Sequence, residues 1–278
     1  MYHRGCVIML NSGISGTGFG LRSLNSAYGR LGKATEKLST GLRINRAADD
    51  AAGLSIATKL ESRIRGNSAA RRNIGDGISS ARTAGGGLSA IRNDLQRMRE
   101  LAVQASNGTN SPEQSAALNA EATALQGNID DVAANTEFNG VNLLDGSAGT
   151  QSIVTSDDGS TTDIDYSQDN SSATLTPTVD LSNPAAASAS IAEIDAALET
   201  VTAQEAELGA SENALASMEE AAFQREYAAA SAQSRVQDTD VASGMSDFMA
   251  ASVQAKLAGS MLGVQNNVNS SLINSLFG

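Results

Sequence analysis

The stretch LSTGLRINRAADDAAGLSI, residues 38–56, decides how the rest of the chain is read. Gly41, Asn45, the acidic pair Asp49-Asp50 and Gly53 are breakers and cap formers set between two long helical patterns. A chain that bends there folds back on itself. Upstream, Leu21, Leu24, Tyr28, Leu31, Leu38 and Leu42 recur at helical steps, a narrow seam of coiled-coil type rather than a broad globular face. Downstream, Ile56, Leu60 and Ile64 open a second helix that continues through Ile74, Ile78, Ala81, Leu88, Leu95 and Met98.

That second helix carries Gly66, Gly75, Gly77 and the run Gly85-Gly86-Gly87. Each weakens it by about 1 kcal/mol against alanine, which close packing on neighbouring elements must offset. The pattern stops near Asn107-Gly108. It restarts at Ser111-Pro112-Glu113-Gln114, which combines an N-cap, a proline at the first helical position and a glutamine three residues after the cap. Leu118, Leu125, Ile129 and Val132 carry this third helix to about Asn135. Residues 139–190 change character. Segments 151–155 and 161–166 are β-prone and flank Asp157-Asp158-Gly159, a hairpin signal with a solvated turn. Asn183-Pro184 then opens a helix in which Ile191, Ile194, Leu198, Val201, Leu208, Leu215 and Met218 keep a three/four rhythm. Asp240 caps the last helix, with Met245, Phe248, Val253, Leu257, Met261, Val264, Val268 and Leu272 as its stripe; Lys256 is the only charge after Asp247.

Composition points to a mainly α fold. Aromatics are 3% of 278 residues, with no Trp and three Pro, so slim helices with Leu, Ile, Val, Met and Ala seams suit the chain better than a wide core. The net charge of −12 is unevenly spread: residues 1–139 hold 16 basic and 12 acidic side chains, residues 140–278 hold 3 and 19. The two halves are expected to lie against each other or against those of neighbouring copies. An acidic chain without a Lys/Arg cluster excludes a nucleic-acid partner.

Several chemistries drop out. Cys6 and His3 are each the only residue of their type, so neither an internal disulfide nor a Cys/His metal site is expected, and no cofactor is implied. GISGTGFG, residues 13–20, lacks the preceding strand and the lysine of a phosphate loop. The Asp157-Asp158-Gly159 turn lacks the ligand spacing and closing Glu of a calcium loop. Asp49-Asp50 and Asp130-Asp131 are the candidate carboxylate pairs for acid–base work. Neighbours on a helix diverge by about 100° and do not face one another, so no enzyme is expected. No transmembrane run exists, and the terminal stripe lacks the cationic face of a lipid-surface helix. Residues 7–10 are too short for a signal-peptide core, so any route out of the cell uses no cleaved signal; Met9 is an alternative start. The two terminal arms bury too little on their own and are expected to order fully when neighbouring copies cover them.

Five segments together resemble bacterial flagellin. They are GLRINRAADDAAGLSIATKLESRIRG (41–66), LQRMRELAVQASNGTNS (95–111), EFNGVNLLDG (137–146), LGASENAL (208–215) and SRVQDTDVA (234–242), in the family's order along nearly the whole chain. The resemblance implies an elongated antiparallel helical coiled-coil bundle formed by pairing of the N- and C-terminal regions, with a small β-hairpin region in the middle. Its divisions would be 9–53 with 236–278 as the terminal coiled coil and spoke, 54–138 with 185–235 as a helical rod domain, and 139–184 as the hairpin and a short variable segment. The implied function is a filament subunit, exported unfolded through the flagellar type III apparatus to a filament outside the cell. The hook–filament junction protein of the same family is the alternative. Implied partners are other flagellin subunits, hook-associated junction and cap proteins, a flagellin export chaperone, and a host Toll-like receptor.

Assembly contacts are expected from Leu21, Leu24, Leu31, Leu38, Arg43, Arg46, Asp49, Asp50, Phe248, Val253, Leu257, Met261 and Val264. By resemblance, Gln96, Arg97, Glu100, Leu101 and Glu121 are the receptor contacts. The chain departs from the family at Glu205, Glu212 and Ala214, where Arg, Gln and Arg are usual, at Gly85-Gly86-Gly87, at Asn269 in place of a common Pro with the Phe277-Gly278 end, and in residues 1–8.

Overall fold

The bend expected at residues 38–56 is built by capping. Helix α1 (Tyr2–Thr40) ends at Gly41, whose φ of +72° suits glycine. Asp49 accepts the backbone N–H groups of Asn45 at 3.2 Å and Arg46 at 3.1 Å, closing a tight turn. Asp50 then accepts the Gly53 N–H at 2.9 Å and caps α2 (Ala51–Ala105). The two aspartates are a turn and a cap, not neighbours on a helix.

Helix α3 (Pro112–Asn135) starts at the capping box read from the sequence, with Ser111 and Gln114 bonded reciprocally. Strands β1 (Glu137–Phe138) and β2 (Val141–Asn142) follow, joined by Asn139 and Gly140, both at positive φ. This short hairpin was not expected, although Asn-Gly is its usual two-residue turn. Strands β3 (Gly149–Val154) and β4 (Thr161–Tyr166) pair antiparallel over six residues, Gly149 against Tyr166 through Val154 against Thr161. A single turn, α4 (Ser172–Leu175), precedes α5 (Pro184–Gln237), and α6 (Val241–Phe277) closes the chain. Asn183 and Asp240 cap α5 and α6 as expected, through the N–H groups of Ala186 and Ala242.

The structure, a computed structural model, describes residues 2–176 and 178–277. The side chains at 2–17, 272, 273 and 275–277 lie outside the described residues, as does Gly278. The readings at His3, Cys6, Met9, Leu272 and the Phe277-Gly278 end fall there.

The chain divides into two compact units, one of Met1–Glu61 with Ala230–Gly278, the other of Ser62–Ala229. In the second unit the large apolar residues are inside. Ile74, Leu88, Ile91, Leu95 and Met98 of α2 join Ile129 of α3, Ile164 and Tyr166 of β4, and Ile194, Val201 and Leu208 of α5 in one buried cluster. The Tyr166 hydroxyl reaches Ser80 at 2.8 Å, which satisfies it in the core.

Three glycines of α2 are the notches that seat the middle segment. A Cβ at Gly66 would lie 2.8 Å from Asp157, at Gly77 3.1 Å from Ile153, and at Gly87 2.6 Å from Leu144 and 2.7 Å from Thr136. Gly75, Gly85 and Gly86 meet nothing. Of the seven glycines in α2, the three notches and Gly53, where a Cβ would lie 2.6 Å from Ile44, are needed for packing, and nothing in the structure explains the other three.

Candidate assembly surface

In the first unit α1 and α6 pair antiparallel. Leu262 lies on Gly20, where a Cβ would come within 2.6 Å, and Leu38 lies on Gly244 at 3.1 Å by the same measure. The buried and half-buried positions include a regular series, Gly20, Leu24, Ala27, Leu31, Ala34 and Leu38 on α1. On α6 the matching series is Gly244, Phe248, Ala251, Ala255, Ala258 and Leu262. Both series step by four and three, as a coiled-coil seam requires. Small residues fill alternate layers and let the backbones approach.

This corrects the sequence reading of the seam. Leu21 and Tyr28 point outward, and so does most of the α6 stripe. A search for large apolar side chains passes over Gly and Ala, yet a close helix pair needs them at its contacts. A row of large side chains is left outside: Val241, Met245, Met249, Val253, Leu257, Met261, Val264 and Val268, with Leu257 58% exposed and Met261 74%. Phe19 and Leu21 add to the exposed apolar surface from α1. From 241 to 261 the stripe advances in steps of four, each turning it about 40° around the helix. Over that length it sweeps roughly 200°, more than one straight partner helix covers.

Among the sequence-chosen assembly residues, Leu24, Leu31, Leu38 and Phe248 are thus seam residues within the chain. Leu21, Val253, Leu257, Met261 and Val264 are exposed. The four polar residues of the joint have partners inside the unit. The Arg43 guanidinium donates to the Val236 carbonyl at 2.6 Å, and its backbone N–H donates to Gln237 at 2.6 Å. Thr239 N–H returns a bond to Gly41 at 2.9 Å, so the joint after α1 is stitched to the joint before α6. Arg46 pairs with Glu36 at 2.7 Å. The hydrogen bonds from Asn45 and Arg46 hold the Asp49 carboxyl below the usual aspartate range.

The second unit presents fewer exposed large apolar side chains and no long stripe of them: Val103, Val141, Val154, and the i,i+4 pair Phe223 and Tyr227. Phe223 has the Arg71 guanidinium over its ring at 5.1 Å. Of the receptor-type segment, Gln96, Arg97 and Glu100 are exposed, and Arg97 bridges Glu100 at 2.9 Å and Glu121 at 2.7 Å. Leu101 does not join them. It is 1% exposed and belongs to the core, because its heptad position turns it inward. Two departures from the family find partners within the chain: Glu205 pairs with Arg92 at 2.9 Å and Glu212 with Arg82 at 2.6 Å.

The middle segment repeats one device that the sequence reading missed, Asp-x-Ser. Asp145, Asp158, Asp165, Asp169 and Asp180 each accept the backbone N–H of the serine two residues on, at 2.8–3.0 Å. The spacing alone signals such a turn. The serine hydroxyl lowers the first three carboxyls most, and the serine N–H the last two; all lie below the ordinary range. Asp130 accepts from the Ser172 N–H at 2.7 Å and its hydroxyl at 2.9 Å, a structural tie between α3 and α4. Among the described residues no group of three His, Cys, Asp or Glu is placed to hold a metal ion, and no helix is long and apolar enough to cross a membrane.

Comparison with known proteins bears on this surface. A family model for the bacterial flagellin N-terminal helical region matches residues 20–149, and one for the bacterial flagellin C-terminal helical region matches 191–276. The chain is similar to a flagellin of Halalkalibacterium halodurans, 39% identical over 84% of this chain and 87% of that protein. It is also similar to a flagellin of Salmonella typhimurium, 48% identical over 54% of this chain; there the match spans only 30% of the relative's length. A solved structure of a putative flagellar hook-associated protein from Vibrio parahaemolyticus covers 69% of this chain and 98% of its own, with a TM-score of 0.58 and 15% identity, a likeness of fold alone.

Proposed function

We propose, from the premise that this chain belongs to the bacterial flagellin family, that its terminal helices join subunits into the flagellar filament through the apolar stripe their own pairing leaves uncovered. The chain is a structural subunit of that filament. The observation that carries the proposal is the row of Met, Val and Leu side chains that α6 leaves outside the helix pair, while Gly, Ala and a few Leu and Phe side chains close the seam inside it. A contiguous apolar stripe left open to water marks an interaction surface. Its sweep around α6 calls for more than one neighbour, which a helical polymer supplies and a simple dimer does not.

In this reading residues 9–53 and 236–278 form the coiled coil at the filament core. Residues 54–138 with 185–235 form the helical rod domain, and 139–184 its hairpin segment. Arg43, Arg46, Asp49 and Asp50 act first by fixing the joint that ties the end of α1 to the start of α6. Subunits travel unfolded through the type III apparatus to the outside of the cell, with a chaperone on the C-terminal arm beforehand and junction and cap proteins at the two ends of the filament. Gln96, Arg97, Glu100 and Glu121 present a charged patch to a Toll-like receptor. A reporter response to the purified subunit that is lost in Arg97→Ala supports that last step, and an unchanged response removes it.

Seeded polymerisation tests the main proposal. The double variant Leu257→Asp, Val264→Asp places charge on two exposed stripe positions that the intrachain seam does not use. The expected outcome is a helical monomer, by circular dichroism, that adds to no seed under the electron microscope. Normal filaments from that variant refute the reading.

A further inference from the structure

The stripe holds three of the chain's seven methionines, Met245, Met249 and Met261, each four residues or a multiple of four from the next. They are 43%, 60% and 74% exposed. Met98 is fully buried in the other unit, and the Met218 sulfur accepts a hydrogen bond from Thr162 at 3.0 Å. Among the described residues one thioether is thus buried and one half-buried, beside three open ones. Nothing in the pairing of α1 with α6 uses the open three.

We infer that Met245, Met249 and Met261 form a modification site for peroxide, at which oxidation to the sulfoxide withholds the unassembled subunit from the filament. The inference rests on the assembly reading above. In the reaction the thioether sulfur donates a lone pair to one oxygen of hydrogen peroxide. The O–O bond breaks, the sulfur is oxidised by two electrons, and the departing oxygen takes up the transferred proton and leaves as water. The product is a polar, chiral group on what was a flexible apolar arm. In water it is well solvated, so the free subunit keeps its fold. In the filament the same group has to be buried against apolar neighbours, where an oxygen without a hydrogen-bond partner is strongly disfavoured. The three positions lie on different sides of α6 because the stripe winds, so oxidation reaches contacts with more than one neighbour. Assembly in turn shields the sulfurs, so filaments formed first are resistant. The change is reversible, since both sulfoxide epimers are substrates for methionine sulfoxide reductases.

The test treats the full-length subunit with dilute hydrogen peroxide, maps sulfoxide by peptide mass, and measures the lowest concentration that elongates seeds. Met245, Met249 and Met261 are expected to oxidise at least about tenfold faster than Met98, and the concentration needed to rise at least about tenfold. A mixture of the two reductases with a dithiol reductant then restores both mass and polymerisation. In pre-formed filaments the three positions stay reduced under the same treatment. The triple variant M245L/M249L/M261L, scored as the ratio of its own treated to untreated samples, loses the sensitivity; if it fails to polymerise, the reductase arm decides. Equal polymerisation with all three sulfoxides in place overturns the inference, as does removal of sulfoxide without recovery. Untreated subunit that never elongates seeds overturns the assembly reading itself, and this inference with it.

Discussion

The two units solve the same packing problem in different ways. Around Leu95, α2, α3, α5 and the hairpin bury leucine, isoleucine and methionine, with alanine between them, in one cluster. Between α1 and α6 Gly and Ala share the seam with Leu24, Leu31, Leu38, Phe248 and Leu262, and a row of Met, Val and Leu on α6 faces water. Burial contributes about 25 cal/mol per Å² of apolar surface, so the first arrangement is nearly complete in one chain while the second leaves most of its apolar surface unused. The chain therefore keeps its capacity for association in α1 and α6.

Leucines on the two sides break the comparison most sharply. Leu95→Ala is expected to lower the stability of the isolated subunit by about 2–5 kcal/mol, because a fully buried side chain is replaced by a cavity. Leu257→Ala is expected to change it by no more than about 0.5 kcal/mol, since the side chain already sits in water. Denaturant melts of the two variants measure this. Equal losses would mean that the stripe is packed in the lone subunit.

A smaller contrast lies within one glycine run. Gly87→Ala drives a methyl into Leu144 and Thr136 and is expected to cost about 1–3 kcal/mol in the same melts. Gly86→Ala, one residue away and in open space, is expected to stabilise by about 0.4–1 kcal/mol through the unfolded chain. The same sign for both would remove the notch as an explanation of how the middle segment is seated.

Much of this was legible beforehand, and the exceptions have a pattern. Caps are local chemistry, so Ser111, Asn183, Asp240 and the joint at Gly41–Asp50 announced themselves by residue type and spacing. The large residues of α2 and α5 also went where their period sent them. On α1 and α6 the spacing mixes two faces, since Leu24, Leu31, Leu38 and Phe248 do close the seam. Leu21, Tyr28 and the Met/Val stripe have helical spacing too, and only the smaller Gly20, Ala27, Ala251 and Ala255 reveal which face closes within the chain. The β1–β2 hairpin was missed although its Asn-Gly turn was in view, because two-residue strands carry no alternation to detect. Leu101 was misplaced for the opposite reason: a surface motif was carried over whole, while one of its residues serves the core.

Acid gives the mildest separation of the two units. The lowered Asp145, Asp158, Asp165, Asp169 and Asp180 all belong to the second, against Asp49 alone among the shifted carboxyls of the first. A carboxyl lowered by folding adds stability above its unfolded value, about 3.9, and that stability is lost as pH falls through the folded value. The Asp-x-Ser segment is therefore expected to loosen below about pH 4, and Asp165→Asn to flatten that dependence. Thermal melts between pH 7 and pH 2 check both; a melt of Asp165→Asn with the full parental slope would exclude this carboxyl.

Amide hydrogen exchange on the isolated subunit, repeated after seeded polymerisation, tests most directly the claim that α1 and α6 await neighbouring copies. Local stability follows buried apolar contact, so amides of residues 241–268 are expected to exchange far faster than those of 74–105 in the free subunit, and to become comparably protected in the filament. Equal protection of the two stretches before assembly, or no gain at 241–268 after it, would contradict the account.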